Sequence, residues 1–248
     1  MTTARLDVAF VPAQARSAQV TVVIDVLRAT STMVQALAAG YRRVLCADGL
    51  DRARGLAGPG RVLAGERQCL RADGFDLGNS PAATIPPRGE ELVLATTNGA
   101  PAIVRAAQLS PTVLVASLLN LDAVIAALAG CDDVLLLCSG TDAHPALEDT
   151  YVAGRIAARL PGTPSDAALV ACAVARAYPL AHDALAASLD AAVLRERGME
   201  ADIDWCARES VIDLVPRARA VSEGVAATEL ATDSQNTMNT EAHLAGSF

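Results

Sequence analysis

One unit recurs along this chain: a short aliphatic run, a cluster of small polar residues, then a helix-like stretch. It appears first as Thr21-Val-Val-Ile-Asp25, then Arg28-Ala-Thr-Ser-Thr32 and Met33 to Ala39. It returns as Glu91-Leu-Val-Leu-Ala95, then Thr96-Thr-Asn-Gly99 and Ala100 to Gln108. The third copy is Thr112-Val-Leu-Val-Ala-Ser117, then Asn120 and Leu121 to Ala129. The fourth is Asp133-Val-Leu-Leu-Leu-Cys138, then Ser139-Gly-Thr141 and Leu147 to Leu160. Continuous apolar runs of this length suit strands buried on both faces. Helices that follow them, with Gly40 and Gly130 as stops, make βα units. The expected fold is α/β: a layered α/β/α arrangement with a largely parallel or mixed sheet of repeated strand-turn-helix units. The repetition leaves room for an internal duplication.

Shorter strands are expected at Val44–Cys46, Arg61–Ala64 and Ile212–Val215. After Pro161-Gly-Thr-Pro164 the Ala-rich stretch 165–197 reads as helical, interrupted at Pro179, and a further helix starts near Glu200. Residues 1–221 are expected as a single compact α/β unit, with room for two intimately packed lobes. Polarity rises and periodicity fades after Val221, so 222–248 is expected to be a poorly ordered polar tail.

Composition removes several chemistries. All 20 residues counted as Lys+Arg are Arg. Without Lys there is no Schiff-base enzyme, no P-loop lysine and no kinase strand lysine. Any cationic role falls to Arg, which does not act as a base. The net charge of −8 argues against nucleic acid as a partner. Six scattered cysteines form no CxxC pair and read as reduced thiols of a cytoplasmic protein. No apolar stretch is long enough for a membrane span. A homodimer is the base-rate expectation.

Ligands of open α/β sheets sit at the carboxyl ends of the strands, where all these polar clusters fall. Each also starts a helix, whose free N–H groups favour anions. Thr30, Ser31 and Thr32; Thr96, Thr97, Asn98 and Gly99; and Ser139, Gly140 and Thr141 are thus candidate anion donors, with Arg28 as the guanidinium beside the first set. Such residues are also ordinary helix caps. Carboxylates give the sharper signal. Asp25 and Glu66 end strands, Asp76 lies in a turn-rich stretch, and Glu148 and Asp149 open a helix. Hard oxygen donors of this kind favour Mg²⁺ over zinc. The Cys-x5-Arg phosphatase spacing fails, because His144 stands where Cys138 would need Arg. The Asp-x-Asp spacing fails too, because Leu27 follows Asp25 at that interval.

Taken together, Val23-Ile-Asp-Val-Leu-Arg-Ala-Thr-Ser-Thr32, Gly65-Glu-Arg67, Gly74-Phe-Asp-Leu-Gly-Asn-Ser-Pro81, Thr96-Thr-Asn-Gly99, Cys138-Ser-Gly-Thr141 and Leu147-Glu-Asp-Thr150 resemble 2-phosphosulfolactate phosphatases. Met199-Glu-Ala-Asp-Ile-Asp-Trp-Cys206 and Asp213-Leu-Val-Pro216 extend the resemblance, which runs in order from about residue 5 to 220. It implies a Mg²⁺-dependent acid phosphatase that converts 2-phosphosulfolactate to sulfolactate and phosphate in coenzyme M biosynthesis. Two stretches depart from the pattern: Gln68-Cys69, where a more Gly-rich turn is expected, and Ala143 to Ala146.

The resulting expectation is phosphomonoester hydrolysis of a small anionic substrate. Asp25, Arg28 and Glu148 are the catalytic candidates. Asp25, Glu66, Asp76 and Asp149 are the metal candidates, with Asn79 and Ser80 added to the substrate-binding donors above. Attack by Asp25 and attack by an activated water both remain open. The alternatives are a phosphatase for another small phosphorylated acid, a transferase or lyase on such an acid, and a non-catalytic binder or sensor of a small anion.

Overall fold

A computed structural model describes residues 4–230. In chain order the elements are β1 (Arg5–Ala9), β2 (Val20–Ile24), α1 (Ala29–Ala39), β3 (Arg43–Ala47), α2 (Leu50–Gly55), β4 (Arg61–Arg67) and β5 (Leu70–Arg71). Then come β6 (Glu91–Ala95), α3 (Gly99–Leu109), β7 (Thr112–Ala116), α4 (Leu121–Ala127), β8 (Asp133–Cys138) and α5 (Leu147–Ala157). The last are β9 (Thr163–Pro164), α6 (Asp166–Ala177), α7 (Ala181–Ala186), α8 (Leu189–Glu196), α9 (Glu200–Cys206), β10 (Pro216–Ser222) and β11 (Val225–Leu230). All four sequence units form strand and helix as expected, and the fold is α/β with a mixed, mostly parallel sheet.

The sheet order is β5-β4-β6-β3-β11-β10-β7-β2-β8-β1-β9. Two parallel blocks are visible in it. One is β4, β6 and β3, and the other is β7, β2, β8, β1 and β9. The β10–β11 hairpin joins them through antiparallel pairs on every side. Three successive reversals make the two parallel blocks run in opposite directions. Their carboxyl ends nevertheless meet. Each strand step adds about 20–25° of twist, so the five steps from β2 to β6 rotate the strands by roughly 100–125°.

The inner strands are apolar on both faces. On β2, Val22 and Ile24 pack with Tyr151, Ile156, Leu185 and Ile203, while Val23 packs on the opposite face with Met33, Leu37 and Ile103 of α1 and α3. That second face is continuous across both blocks: Val44, Leu92 and Leu94 join the same cluster as Val115 and Leu137. The sheet thus wraps around α1 and α3. Behind the β3–β6 block a smaller cluster of Leu45, Val93 and Phe75 is closed by Ala53 of α2.

Two sequence expectations change here. Residues 212–215 form no strand. Ile212 donates its N–H to the Leu119 carbonyl and the Leu214 carbonyl accepts from Asn120, so the segment is held by a neighbouring turn instead. The tail expected from 222 begins later. Residues 225–230 are an inner strand, with Ala226, Ala227 and Thr228 fully buried. Ser222-Glu-Gly224, which reads as the onset of a polar tail, is the hairpin turn, with Gly224 at φ +68°. Residues 231–248 of the expected tail lie outside the described residues.

An Ala227→Asp variant tests that placement. A buried, unpaired carboxylate there should destabilise the chain by about 3 kcal/mol or more, read by urea unfolding, whereas a residue in a loose tail would tolerate the change.

Candidate active site

A cavity of about 560 Å³ opens where the carboxyl ends of the two blocks converge. Asp25 comes from the end of β2, Glu66 and Arg67 from β4, and Thr96, Thr97 and Asn98 follow β6. Thr141 arrives after β8, and Asp190 from the first turn of α8.

Asp25 is 7% exposed. Its Oδ1 accepts the Ala29 N–H at 2.9 Å, at the start of α1. Its Oδ2 faces Gly99, where a Cβ would come within 2.3 Å. Only glycine lets the start of α3 approach the carboxylate so closely. Burial pushes the Asp25 carboxyl up to about 6; the Ala29 amide and Ser139 hydroxyl pull it down, and the charges of Asp190 and Glu66 raise it again.

Asp149 sits behind Asp25, with Oδ1 accepting the Val26 N–H at 2.9 Å and Oδ2 accepting the Ser139 hydroxyl and Gly140 N–H, each at 3.1 Å. Burial and then the charge of Asp25 push it well above the usual carboxylate range. Glu148 is also raised, by burial and by Asp149 and Asp190, and its buried Oε2 has no hydrogen-bond partner. These two carboxylates form a closed layer below the cavity floor, and neither lines the cavity.

Glu66 closes the opposite wall. Its Oε1 accepts the Thr97 N–H at 2.7 Å and hydroxyl at 3.0 Å, and its Oε2 accepts the Cys69 N–H at 2.9 Å. Arg28 is only 3% exposed. It pairs with Asp202 of α9 at 2.6 Å and donates to the Cys69 carbonyl at 3.1 Å. Asp202 is in turn fixed by the Ser80 hydroxyl at 2.6 Å. Asn79 lines the cavity with its buried Oδ1 unpartnered.

The cavity thus gathers Asp25, Arg28, Glu66, Asn79, Thr96, Thr97, Asn98 and Thr141 from the sequence candidates. Others are placed elsewhere. Thr30 returns its hydroxyl to the Asp25 carbonyl, Ser31 to the Val26 carbonyl and Thr32 gives its own to the Asn79 carbonyl, so the first cluster spends its hydroxyls on backbone carbonyls. Ser80, Ser139 and Gly140 support Asp202 and Asp149 rather than facing the cavity. Gly99 serves by its missing side chain. Asp76 is exposed on the far side of β4, where Oδ2 accepts the Leu63 N–H at 2.8 Å, and it is removed from the candidate metal set on geometry. Among the described residues, no three acidic, His or Cys side chains form a preassembled metal cage.

Sequence reasoning missed Asp190 and Asp202. Both stand in helical stretches read only for composition. The segment around Asp202 carried part of the resemblance, and that was the one available pointer to it.

A family model described as 2-phosphosulpholactate phosphatase matches residues 8–220. Several curated relatives carry the name probable 2-phosphosulfolactate phosphatase. The one from Thermus thermophilus is 37% identical over 81% of this chain and 88% of its own. Those from Carboxydothermus hydrogenoformans and Symbiobacterium thermophilum are 35% and 38% identical, over 86% and 83% of this chain and 92% and 93% of theirs.

The raised Asp25 has a consequence for stability. Its carboxyl binds a proton more tightly folded than unfolded, where the value is 3.8. Its contribution to stability is therefore full at low pH and is lost as pH rises from about 4 through about 6. Asp25→Asn should melt at a higher temperature than the parent at pH 7.5 in metal-free buffer, with the gap closing towards pH 4. A constant gap across that range would show that the charge of Asp25 is not the cause.

Proposed function

This chain belongs to the 2-phosphosulpholactate phosphatase family, and we propose that its cavity hydrolyses 2-phosphosulfolactate to sulfolactate and phosphate. The observation that carries the reading is the placement of Asp25: a carboxylate driven up to about 6, with Oδ2 open to a cavity rich in hydrogen-bond donors. The substrate's phosphoryl group fits beside Asp25. Asn98 and the Gly99 N–H that opens α3 lie next to it and suit phosphoryl oxygens. Arg28, held rigid by Asp202, the Met199 sulfur and the Cys69 carbonyl, adds a fixed positive charge to the cavity wall.

Asp25 is the reacting group. Deprotonated, it is basic enough to take a proton from water, and equally able to attack phosphorus. Gly99 and the Ala29 N–H fix its orientation, so the carboxylate is aimed before substrate arrives. Thr97 and the Cys69 amide hold Glu66 in place on the opposite wall.

Mg²⁺ dependence is part of the same proposal. Mg²⁺ is commonly bound by one or two carboxylates together with substrate phosphate and water. Asp25 and Glu66 are the cavity-facing carboxylates suited to hold it, and their oxygen-only donor set matches that ion. When bound, it would offset phosphoryl charge. A cytoplasmic location fits six free cysteines among the described residues and no described helix long and apolar enough to cross a membrane.

Phosphate release from 2-phosphosulfolactate tests the reading. Asp25→Asn should lose at least about a thousandfold in kcat, and chelation should abolish turnover of the parent until Mg²⁺ is restored. Full activity in Asp25→Asn would remove the carboxylate from the reaction.

A further inference from the structure

Three guanidiniums line the cavity, those of Arg28, Arg67 and Arg197. Arg28 is committed to Asp202. Arg67 donates to the Glu66 carbonyl at 3.2 Å and makes no ion pair among the described residues. Arg197 is exposed, directly after α8, and has neither a side-chain hydrogen bond nor an ion pair among the described residues. An arginine at a helix C-terminus is favourable in itself. Here it also faces a cavity that holds the carboxylates of Asp25, Glu66, Asp142 and Asp190, and it pairs with none of them.

The helix sets the spacing. Asp190, Val193, Leu194 and Arg197 repeat at helical intervals and lay one face of α8 along the cavity. Asp190 and Arg197 are about 10 Å apart along the axis. The Asp190 charge is felt at Asp25. Cys69 feels both charges of this face with opposite sign: its thiol is raised by burial, lowered by Arg28, raised by Glu66 and Asp190 and lowered by Arg197. Asp190 thus marks the end of this face near Asp25, and Arg197 stands seven residues further along it. Between them lie the buried Leu194 and the apolar Val193, which offer a substrate no polar contact.

We propose that Arg197 is a specificity-determining residue: with Arg67 it takes the sulfonate of the substrate whose phosphoryl group lies at Asp25. The proposal rests on the phosphatase reading above. In 2-phosphosulfolactate the carboxylate shares a carbon with the phosphate ester, and the sulfonate is one carbon further out. The distal anion belongs to the distal cation. A guanidinium offers two parallel N–H groups to such an oxyanion.

The experiment compares 2-phosphosulfolactate with 2-phospholactate, which keeps the carboxylate and lacks the sulfonate, on the parent and on Arg197→Ala and Arg197→Gln. Because the Arg197 side chain is exposed and makes no hydrogen bond or ion pair among the described residues, both variants should fold normally. The loss in kcat/KM on the sulfonated substrate should exceed the loss on 2-phospholactate by about tenfold to a hundredfold, mainly through KM. Equal losses on the two substrates, or none on either, would overturn the assignment. Calorimetric titration with sulfolactate supplies a readout independent of turnover: binding should weaken by a similar factor in Arg197→Ala, and unchanged affinity sinks the proposal. If the parent releases no phosphate from either compound, the phosphatase reading fails, and the sulfolactate titration still decides the role of Arg197.

Discussion

The cost of burying the Asp25 carboxylate organises this molecule. An isolated charge at the end of a fully buried strand is unfavourable by several kcal/mol unless it is hydrogen-bonded or neutralised. The fold meets that cost only in part. One oxygen is bonded by the Ala29 amide at the start of α1. The other is left open beside Gly99, and the carboxylates of Asp149 and Glu148 lie behind. The charges of Asp190 and Glu66 raise the cost further. A core built for stability alone would place an apolar side chain at position 25. Keeping three buried acids together makes physical sense where a cation or a developing positive charge is to be met.

The absence of Lys takes on a definite meaning in this setting. The buried cation of the site has to be Arg, and Arg28 uses its planar fork in a way an ammonium would not: one nitrogen binds Asp202 while the other reaches the Cys69 carbonyl. Ser80 then fixes Asp202. This chain of contacts ties β2, the β4–β5 hairpin, the stretch after it and α9 into one wall. It also fixes a guanidinium at the cavity of a chain whose overall charge is −8. The cavity walls set the guanidiniums of Arg28, Arg67 and Arg197 among the carboxylates of Asp25, Glu66, Asp142 and Asp190.

Most of the α/β architecture is legible in the sequence because it depends on local chemistry. Five-residue aliphatic strands, small polar strand ends and glycine stops each have one simple structural meaning. The direction of side chains is another matter. Thr30, Ser31 and Thr32 look like an anion cradle in one dimension, yet α1 turns all three hydroxyls back onto carbonyls. Nothing in their identity distinguishes a donor facing a cavity from one that bonds its own backbone. The β11 strand was hidden for the opposite reason. Ala226-Ala227-Thr228 is too small and too weakly apolar to announce an inner strand, and only the close fit between β3 and β10 gives it that position. Asp190 and Asp202 reach the site from helices distant in sequence, a relation set by the packing of α8 and α9.

The two departures from the family pattern acquire a physical reading. Gln68-Cys69 is itself a two-residue turn with both residues at positive φ, 52° and 66°, and the Ala143–Ala146 stretch begins inside a second such turn, Asp142-Ala143, at 50° and 62°. Such turns suit Gly and Asn, and other residues adopt them at a cost in backbone energy. Both turns flank the cavity, and both hold site residues through their own backbone. The first presents the Cys69 carbonyl to Arg28 and the Cys69 amide to Glu66. The second pairs Thr141 with His144, which leaves the Thr141 hydroxyl aimed at Asp190. Each turn therefore couples a wall of the cavity to a charged group on its other side. The conformational cost is offset by contacts that exist only when the turn is formed, so the turns are stable because the site is assembled around them.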